Sequence, residues 1–439
     1  MALEWWIALL IIIGGLMLLM VAGVPVAFCF WAVNIVGVFL FWSGEAGFTQ
    51  LLLSVYASVT HFSTVTILLF ILMGEVMFQS GIGINMIDAV DKWLGHLPGR
   101  LGLVAIGSGT LLASLTGASM ASIAVMGSTL TPEMERRGYK KPMSLGPILG
   151  VSGLAKMIPP SGVGVILAML ADLSVGKLLM AIIVPGLIMA VLYAIYTVGR
   201  CWLQPSIAPS YELEPIPISK KLGLTVKYIL PLGLVIFLVT GVIFLGVATP
   251  SEAAATGAVG CFILAACYRK LNWGVLKKSL TRTLENAVMV LIIISGAKAF
   301  AQILAFSGAT RGLVSLAAEL PVSPIVLLIA MQVVALILGC FMNAASVLMI
   351  SIPVFMPIVY AIGFDPMWFG VLLLLNCEMG ATTPPFGLSM FVMKAVAPPD
   401  TTMGDIYKAG VPYLGCDAIT MALLIMFPII PLWLPSIMR

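Results

Sequence analysis

Four short stretches hold residue types that long apolar runs rarely carry. They are Gly117-Ala118-Ser119-Met120-Ala121-Ser122, Ile158-Pro159-Pro160-Ser161-Gly162, Gly339-Cys340-Phe341-Met342-Asn343-Ala344-Ala345-Ser346 and Gly380-Ala381-Thr382-Thr383-Pro384-Pro385-Phe386-Gly387. Proline removes a backbone donor and frees carbonyls that lipid cannot solvate, so a helix interrupted there needs another partner. A bare cation is one. Carbonyls together with Ser, Thr and Asn oxygens form a hard cage suited to an alkali cation, and the N-termini of half-helices present free N–H groups and positive dipole ends to an anion. The competing reading is packing: small-xxx-small spacing such as Gly117 to Ala121 lets helices approach, and Ser or Thr can bond back to the backbone. One break alone favours packing. Four at related positions favour ion and substrate sites.

Charges within apolar runs are costly and are functional candidates by default. Lys156, three residues before Pro159-Pro160, suits an anionic substrate or an ion pair with Glu378, its near-equivalent in the other half. Glu75, Glu252 and Lys298 read as structural ion pairs or interfacial groups, and Asp172 and Lys177 as loop charges. Two histidines, His61 and His96, are too few and too far apart for a metal site or a triad, and seven cysteines without a CxxC pair read as small buried hydrophobes. An intramembrane enzyme would need paired Asp, a Ser/His set or a metal cluster, and none is visible. The absence of GxxxxGK[ST] points to an ion gradient or another subunit as the energy source.

The elements that must position these residues follow from composition. The chain has 439 residues, 61% hydrophobic and only 9% charged, with mean hydropathy +1.15. A water-facing shell needs about 25% charged residues, so a soluble enzyme and a nucleic-acid reader are both excluded. At roughly 20 residues per crossing the chain supplies about ten spans. Apolar runs cover residues 5–21, 24–42, 64–79, 101–130, 143–171, 178–198, 228–247, 251–267, 287–306, 322–360, 367–396 and 411–434. Residue 4 is Glu and no basic segment precedes the first run, which reads as a retained span. The Pro-rich polar stretch 204–222 reads as an extended cytoplasmic linker between halves 1–203 and 223–439.

Sliding one half over the other aligns landmarks at nearly constant spacing. Pro25 falls on Pro250, Gly74 on Gly296, Gly117 on Gly339, Pro132 on Pro357, Pro142-Met143 on Pro366-Met367, and Pro159-Pro160 on Pro384-Pro385, all at offsets between 222 and 225. The repeated unit holds an odd number of crossings, so the second copy is inverted. Run 101–130 is either two crossings or a re-entrant hairpin, as is 322–360, while 143–171 and 367–396 are broken helices. Threading the path places 17 of the 22 Lys and Arg on the cytoplasmic face and both termini outside. Inverted repeats with discontinuous helices are the architecture of secondary transporters, which bind substrate where the breaks meet.

With Phe70-Ile71-Leu72-Met73-Gly74-Glu75, the run from Gly117 to Ser122, Ile158-Pro159-Pro160-Ser161, Ala248-Thr249-Pro250-Ser251-Glu252-Ala253-Ala254 and Thr383-Pro384-Pro385-Phe386-Gly387 in place, the chain resembles the large membrane subunit of the tripartite ATP-independent periplasmic transporters over its whole length. The resemblance implies an all-α polytopic, inverted-repeat, elevator-type importer with two re-entrant hairpins and broken helices. It also implies sodium (Na+) as coupling ion, an organic carboxylate as substrate, a small four-span membrane subunit and a soluble periplasmic binding protein. The small subunit is expected as a separate chain, because no span precedes Trp5. Carried onto this sequence, the sites fall on Ser119, Ser122, Ser161, Asn343, Ser346, Thr382 and Thr383. Adding the breaks' own residues, the substrate candidates are Ser119, Ser161, Asn343, Thr382 and Lys156. The sodium candidates are Ser119, Ser122, Pro159, Gly339, Asn343, Ser346, Gly380, Thr382 and Thr383. A stand-alone carboxylate symporter of similar architecture is the nearest alternative. The expected location is the bacterial inner membrane.

Overall fold

In lipid a segment must satisfy its own backbone, and helices do so throughout this chain. The computed structural model describes residues 4–42, 45–95, 97–116, 119–209 and 217–438, and no strand occurs among them. The helices of the first half are α1 (Trp5–Val21), α2 (Val26–Phe41), α3 (Glu45–Val59), α4 (Ser63–Ser80), α5 (Ile82–Asp91), α6 (Arg100–Thr116), α7 (Ser119–Arg136), α8 (Lys141–Met157), α9 (Gly162–Leu170) and α10 (Val175–Leu203). Those of the second are α11 (Ile218–Phe244), α12 (Pro250–Cys267), α13 (Trp273–Phe306), α14 (Ala309–Glu319), α15 (Pro324–Phe341), α16 (Ala344–Ala361), α17 (Pro366–Ala381), α18 (Leu388–Val396), α19 (Met403–Met426) and α20 (Ile429–Ile437). Among the described residues eight helices are long and apolar enough to cross a bilayer, or nine if the bent pair α8–α9 counts as one span. The protein is an all-α, multi-pass membrane protein.

Local chemistry sets the boundaries. Proline opens α12, α15 and α17, where its missing N–H has no helical partner to lose. Thr249 and Glu252 form a reciprocal capping box at the start of α12, so Glu252 is an interfacial cap. The runs expected at 101–130 and 322–360 fold as helix pairs, α6–α7 and α15–α16, the second turning at Met342 and Asn343. Gly117 and Ala118 of the first tip lie outside the described residues, as does His96. Helix α9 continues from α8 after a 44° bend, and residues 382–387 separate α17 from α18.

Two readings are corrected. The stretch 204–222 is not extended throughout: Pro205–Ile207 is a 3-10 turn and α11 begins at Ile218, while residues 210–216 lie outside the described residues. The turn is held by the Lys140 N–H donating to the Ile207 carbonyl at 2.9 Å. In addition, α3 and the first part of α13 were not visible as apolar runs. Polar Glu45, Thr49 and Gln50, and Lys277, Lys278 and Arg282, interrupt the hydropathy there. With 34 residues, α13 is about 51 Å long at 1.5 Å per residue, well beyond the roughly 30 Å hydrocarbon core.

The helices pack as two groups. In one, α4 lies against α12 and α13, and α13 also packs on α2 and α3. Phe30 of α2 meets Phe300 of α13 edge to face at 5.2 Å, and the buried Asn34 amide donates to the Gly296 carbonyl at 2.8 Å. In the other group α8 packs on α6, α7 and α19, and α17 packs on α15, α16 and α19. The groups meet where α4 touches α6 and α9 and where α13 touches α16. Within the second group, and where α10 packs on α19, residues 222 to 224 positions apart touch each other. Lys156 pairs with Glu378, 222 positions away, and the Tyr193 hydroxyl donates to Asp417, 224 away. On the outer surface Leu222, Val226, Leu230, Leu234 and Phe237 of α11 are all exposed, the apolar face that lipid requires.

Candidate functional site

Three of the four breaks have a described half-helix start, each with its own capping chemistry. Ile158 is extended (φ −122°, ψ 121°), as a residue before proline prefers, and α9 restarts with Ser161 Oγ accepting the Gly164 N–H at 3.1 Å. At the second hairpin tip Asn343 Oδ1 accepts from the Ser346 N–H at 3.0 Å and from the Ser346 hydroxyl at 3.1 Å, capping α16. The start of α18 differs: Gly387 supplies no side-chain cap. The peptide bonds Pro159–Pro160 and Pro384–Pro385 are both cis.

The C-terminal end of α17 is rich in oxygen. Thr382 Oγ donates to the Glu378 and Met379 carbonyls at 3.2 Å each, and Thr383 Oγ to the Met379 carbonyl at 2.6 Å. These bonds use the hydroxyl protons and leave oxygen lone pairs, so the donor set fits a hard alkali cation. Gly339 and Gly380 bring the second hairpin against the second break. A Cβ on Gly380 would lie 2.6 Å from the Gly339 Cα, so the two backbones are in contact. Phe341 and Phe386, 5.2 Å apart, tie the same two segments on the outside.

A cavity of about 390 Å³ lies where the two helix groups meet. The starts of three half-helices line it, at Gly162 of α9, Ala344 of α16 beside its cap Asn343, and Leu388 and Ser389 of α18, as does Ser119, the first described residue of α7. From the other helix group Phe70, Glu75 and Phe78 of α4 line it, with Asn286 and Met289 of α13. Lys156 also borders the cavity, but its ammonium is committed. It forms a buried ion pair with Glu378 and donates to the Cys377 carbonyl at 3.4 Å, while the Ser152 hydroxyl donates to Glu378 Oε1 at 3.4 Å. Of the two readings of Lys156, the ion pair is the one the structure contains.

Three substrate candidates, Ser119, Asn343 and Lys156, therefore reach one cavity. Ser161 and Thr382 are buried behind its wall. Ser161 caps α9, whose first residue, Gly162, lines the cavity. Of the remaining cation candidates, Ser122 lines a separate cavity of about 100 Å³ with Met77, Gly83 and Leu112. Ser346 is buried and bonded to Asn343. Pro159, Gly339, Gly380, Thr382 and Thr383 lie at or beside the breaks. Lys298 pairs with Asp172 at 3.2 Å. Glu75 was expected as an interfacial or ion-paired group. It faces the cavity, accepts from Gln79 Nε2 at 3.3 Å and Asn286 Nδ2 at 3.4 Å, and has no cationic partner among the described residues. Asn286 and Ser389 were also missed. Asn286 precedes an apolar run by one residue, and Ser389 follows the fourth break by two; only the tertiary arrangement joins them.

Comparison with known proteins agrees with this architecture. Residues 13–430 match the family model for the tripartite ATP-independent periplasmic transporter, DctM component. The C4-dicarboxylate TRAP transporter large permease protein DctM of Pseudomonas aeruginosa is 31% identical, over 88% of this chain and 89% of its own. The ectoine TRAP transporter large permease protein TeaC of Halomonas elongata is 28% identical over 97% and 98% of the two chains. The 2,3-diketo-L-gulonate TRAP transporter large permease protein YiaN of Escherichia coli is 29% identical over 97% of each. Among solved structures, the Alcanivorax borkumensis YdaH transporter shares the fold with TM-score 0.62 at 16% identity, covering 88% of this chain and 90% of that one. The chain belongs to the DctM component family of the tripartite ATP-independent periplasmic transporters, and is a membrane permease rather than an enzyme.

Proposed function

We propose that this protein imports a small organic anion across the bacterial inner membrane, driven by sodium, after delivery by a periplasmic binding protein and together with a separate small membrane subunit. One observation carries this reading: three half-helix N-termini, together with Ser119 at the first described residue of α7, meet at a single cavity at the junction of the two helix groups. Each helix end carries about half a positive charge with unsatisfied N–H groups, so their convergence favours an anion without a formal cation in the wall. The relatives' named cargoes, C4-dicarboxylate, ectoine and 2,3-diketo-L-gulonate, are small and carboxylate-bearing.

Sodium would bind where carbonyls and hydroxyls collect at the helix breaks, with Ser119, Asn343, Thr382 and Thr383 as ligands. Ordering the tips would complete the anion-facing wall, so each ligand raises the other's affinity by the same factor. In this reading the inverted halves 1–203 and 223–439 are joined on the cytoplasmic side by 204–222, whose last residues already belong to α11, and both termini lie in the periplasm. The group containing α6–α9 and α15–α19 is the moving body of an elevator, and the group of α2, α4, α12 and α13 is its fixed wall. The contacts between residues one repeat offset apart support this symmetry.

Thermal stability of the purified large and small subunits, titrated with sodium against potassium at fixed ionic strength, tests the reading. A ligand that binds only the folded state raises stability by mass action. A sodium-specific rise, lost in Asn343→Ala or Thr382→Ala, is the expected result. An equal response to both cations would reject sodium coupling.

A further inference from the structure

We infer that Glu75 determines specificity: the cavity takes a carboxylate whose other end carries a cationic nitrogen, and discriminates against dicarboxylates. This inference rests on the cavity being the anion site proposed above. Two formally charged side chains border the cavity, Lys156 and Glu75. The first is already neutralised by Glu378. The second is not: its contacts are the amides of Gln79 and Asn286 at 3.3 and 3.4 Å, long for hydrogen bonds. They occupy two of the roughly four acceptor positions of a carboxylate.

The cavity wall draws on both helix groups: half-helix starts line it from one, and Glu75, with Phe70 and Phe78, lines it from the other. Apolar neighbours reduce screening, so charge complementarity counts for more there than in water. A substrate lying across the cavity with one carboxylate at the helix ends directs its far end at Glu75. A second carboxylate meets a like charge, whereas an ammonium forms an ion pair. Selection here combines a new attraction with a repulsion, and its size is a difference between two affinities.

Three four-carbon probes separate the outcomes: 4-aminobutyrate (zwitterion), succinate (dianion) and butyrate (monoanion). Each is titrated against thermal stability of the purified large and small subunits in sodium chloride at fixed ionic strength. In the wild type 4-aminobutyrate is expected to act at a concentration at least about tenfold below succinate, as opposed charge pairing at a desolvated contact dictates. Glu75→Gln is expected to shrink that ratio to about threefold or less, chiefly by improving succinate. Wild-type preference for succinate, or an unchanged ratio in the variant, overturns the inference and leaves the anion site standing. If none of the three stabilises the wild type, the anion-site reading fails and the inference falls with it. The wild-type ratio is decisive even if the variant does not fold.

Discussion

The two broken helices share a backbone plan and differ in their side chains. In the first, Ser161 caps the restarted helix α9, and Lys156 stands near the end of the preceding half. In the second, glycine stands at the cap of α18, two threonines bond back to the preceding turn, and the charged residue is Glu378. The charges are opposite, and they pair with each other. The two breaks are complementary: the core neutralises itself internally, and the uncapped helix start at Leu388 is left open to the cavity. A symmetric pair of lysines or of glutamates at this depth would leave two unbalanced charges.

The largest test of that complementarity removes one partner. Lys156→Met strands the Glu378 carboxylate in the core and is expected to cost about 3–5 kcal/mol in thermal or denaturant unfolding. The double variant Lys156→Met/Glu378→Leu should recover most of the loss, a non-additivity that a double-mutant cycle measures directly. Additive losses would mean that the two residues act independently.

A second comparison concerns the glycine contact found in the second half. Gly380→Ala places a Cβ 2.6 Å from the Gly339 Cα, against backbone that cannot swing aside. Overpacking of this kind costs about 1–3 kcal/mol. Separation of hairpin and break should also weaken the sodium-induced rise in stability, and a variant with an unaltered sodium response would place the cation elsewhere. Smaller effects follow for the caps. Ser161→Ala and Asn343→Ala should each lower stability by about 1 kcal/mol, and a pair of losses near zero would show that other groups satisfy the helix starts. The smallest effect belongs to Asp172→Asn, which breaks the pair with Lys298. Asp172 is 84% exposed at the side chain, so unfolding should shift by no more than about 0.5 kcal/mol. A loss several times larger would make that contact a structural tie between the helix groups.

Much of this frame could be read from sequence because glycine and proline punctuate it. Pro159-Pro160 and Pro384-Pro385 mark both breaks, and the turn at Met342 and Asn343 falls inside one of the four stretches singled out. What stayed hidden depends on side-chain neighbours far apart in the chain. Lys156 could have met a substrate or Glu378, and spacing alone did not decide. Glu75 carried the same charge signal as Glu252, yet Glu252 is engaged as the partner of a capping box while Glu75 meets only two amides beside the cavity between the helix groups. The distinction arises from which helix packs opposite, and hydropathy does not encode that. Helix α3 was missed for a related reason: its exposed polar residues lower the apolar signal while its packing against α13 supports the helix.

The central claim is that a sodium gradient drives an anion through the cavity between the two helix groups. It is tested most directly in proteoliposomes holding the large and small subunits, with the periplasmic binding protein outside and carrying its co-purified ligand, identified by mass spectrometry and isotopically labelled. The account predicts accumulation under an inward sodium gradient, none when potassium replaces sodium, and loss in Asn343→Ala. Equal accumulation with potassium, or without any cation gradient, would contradict it.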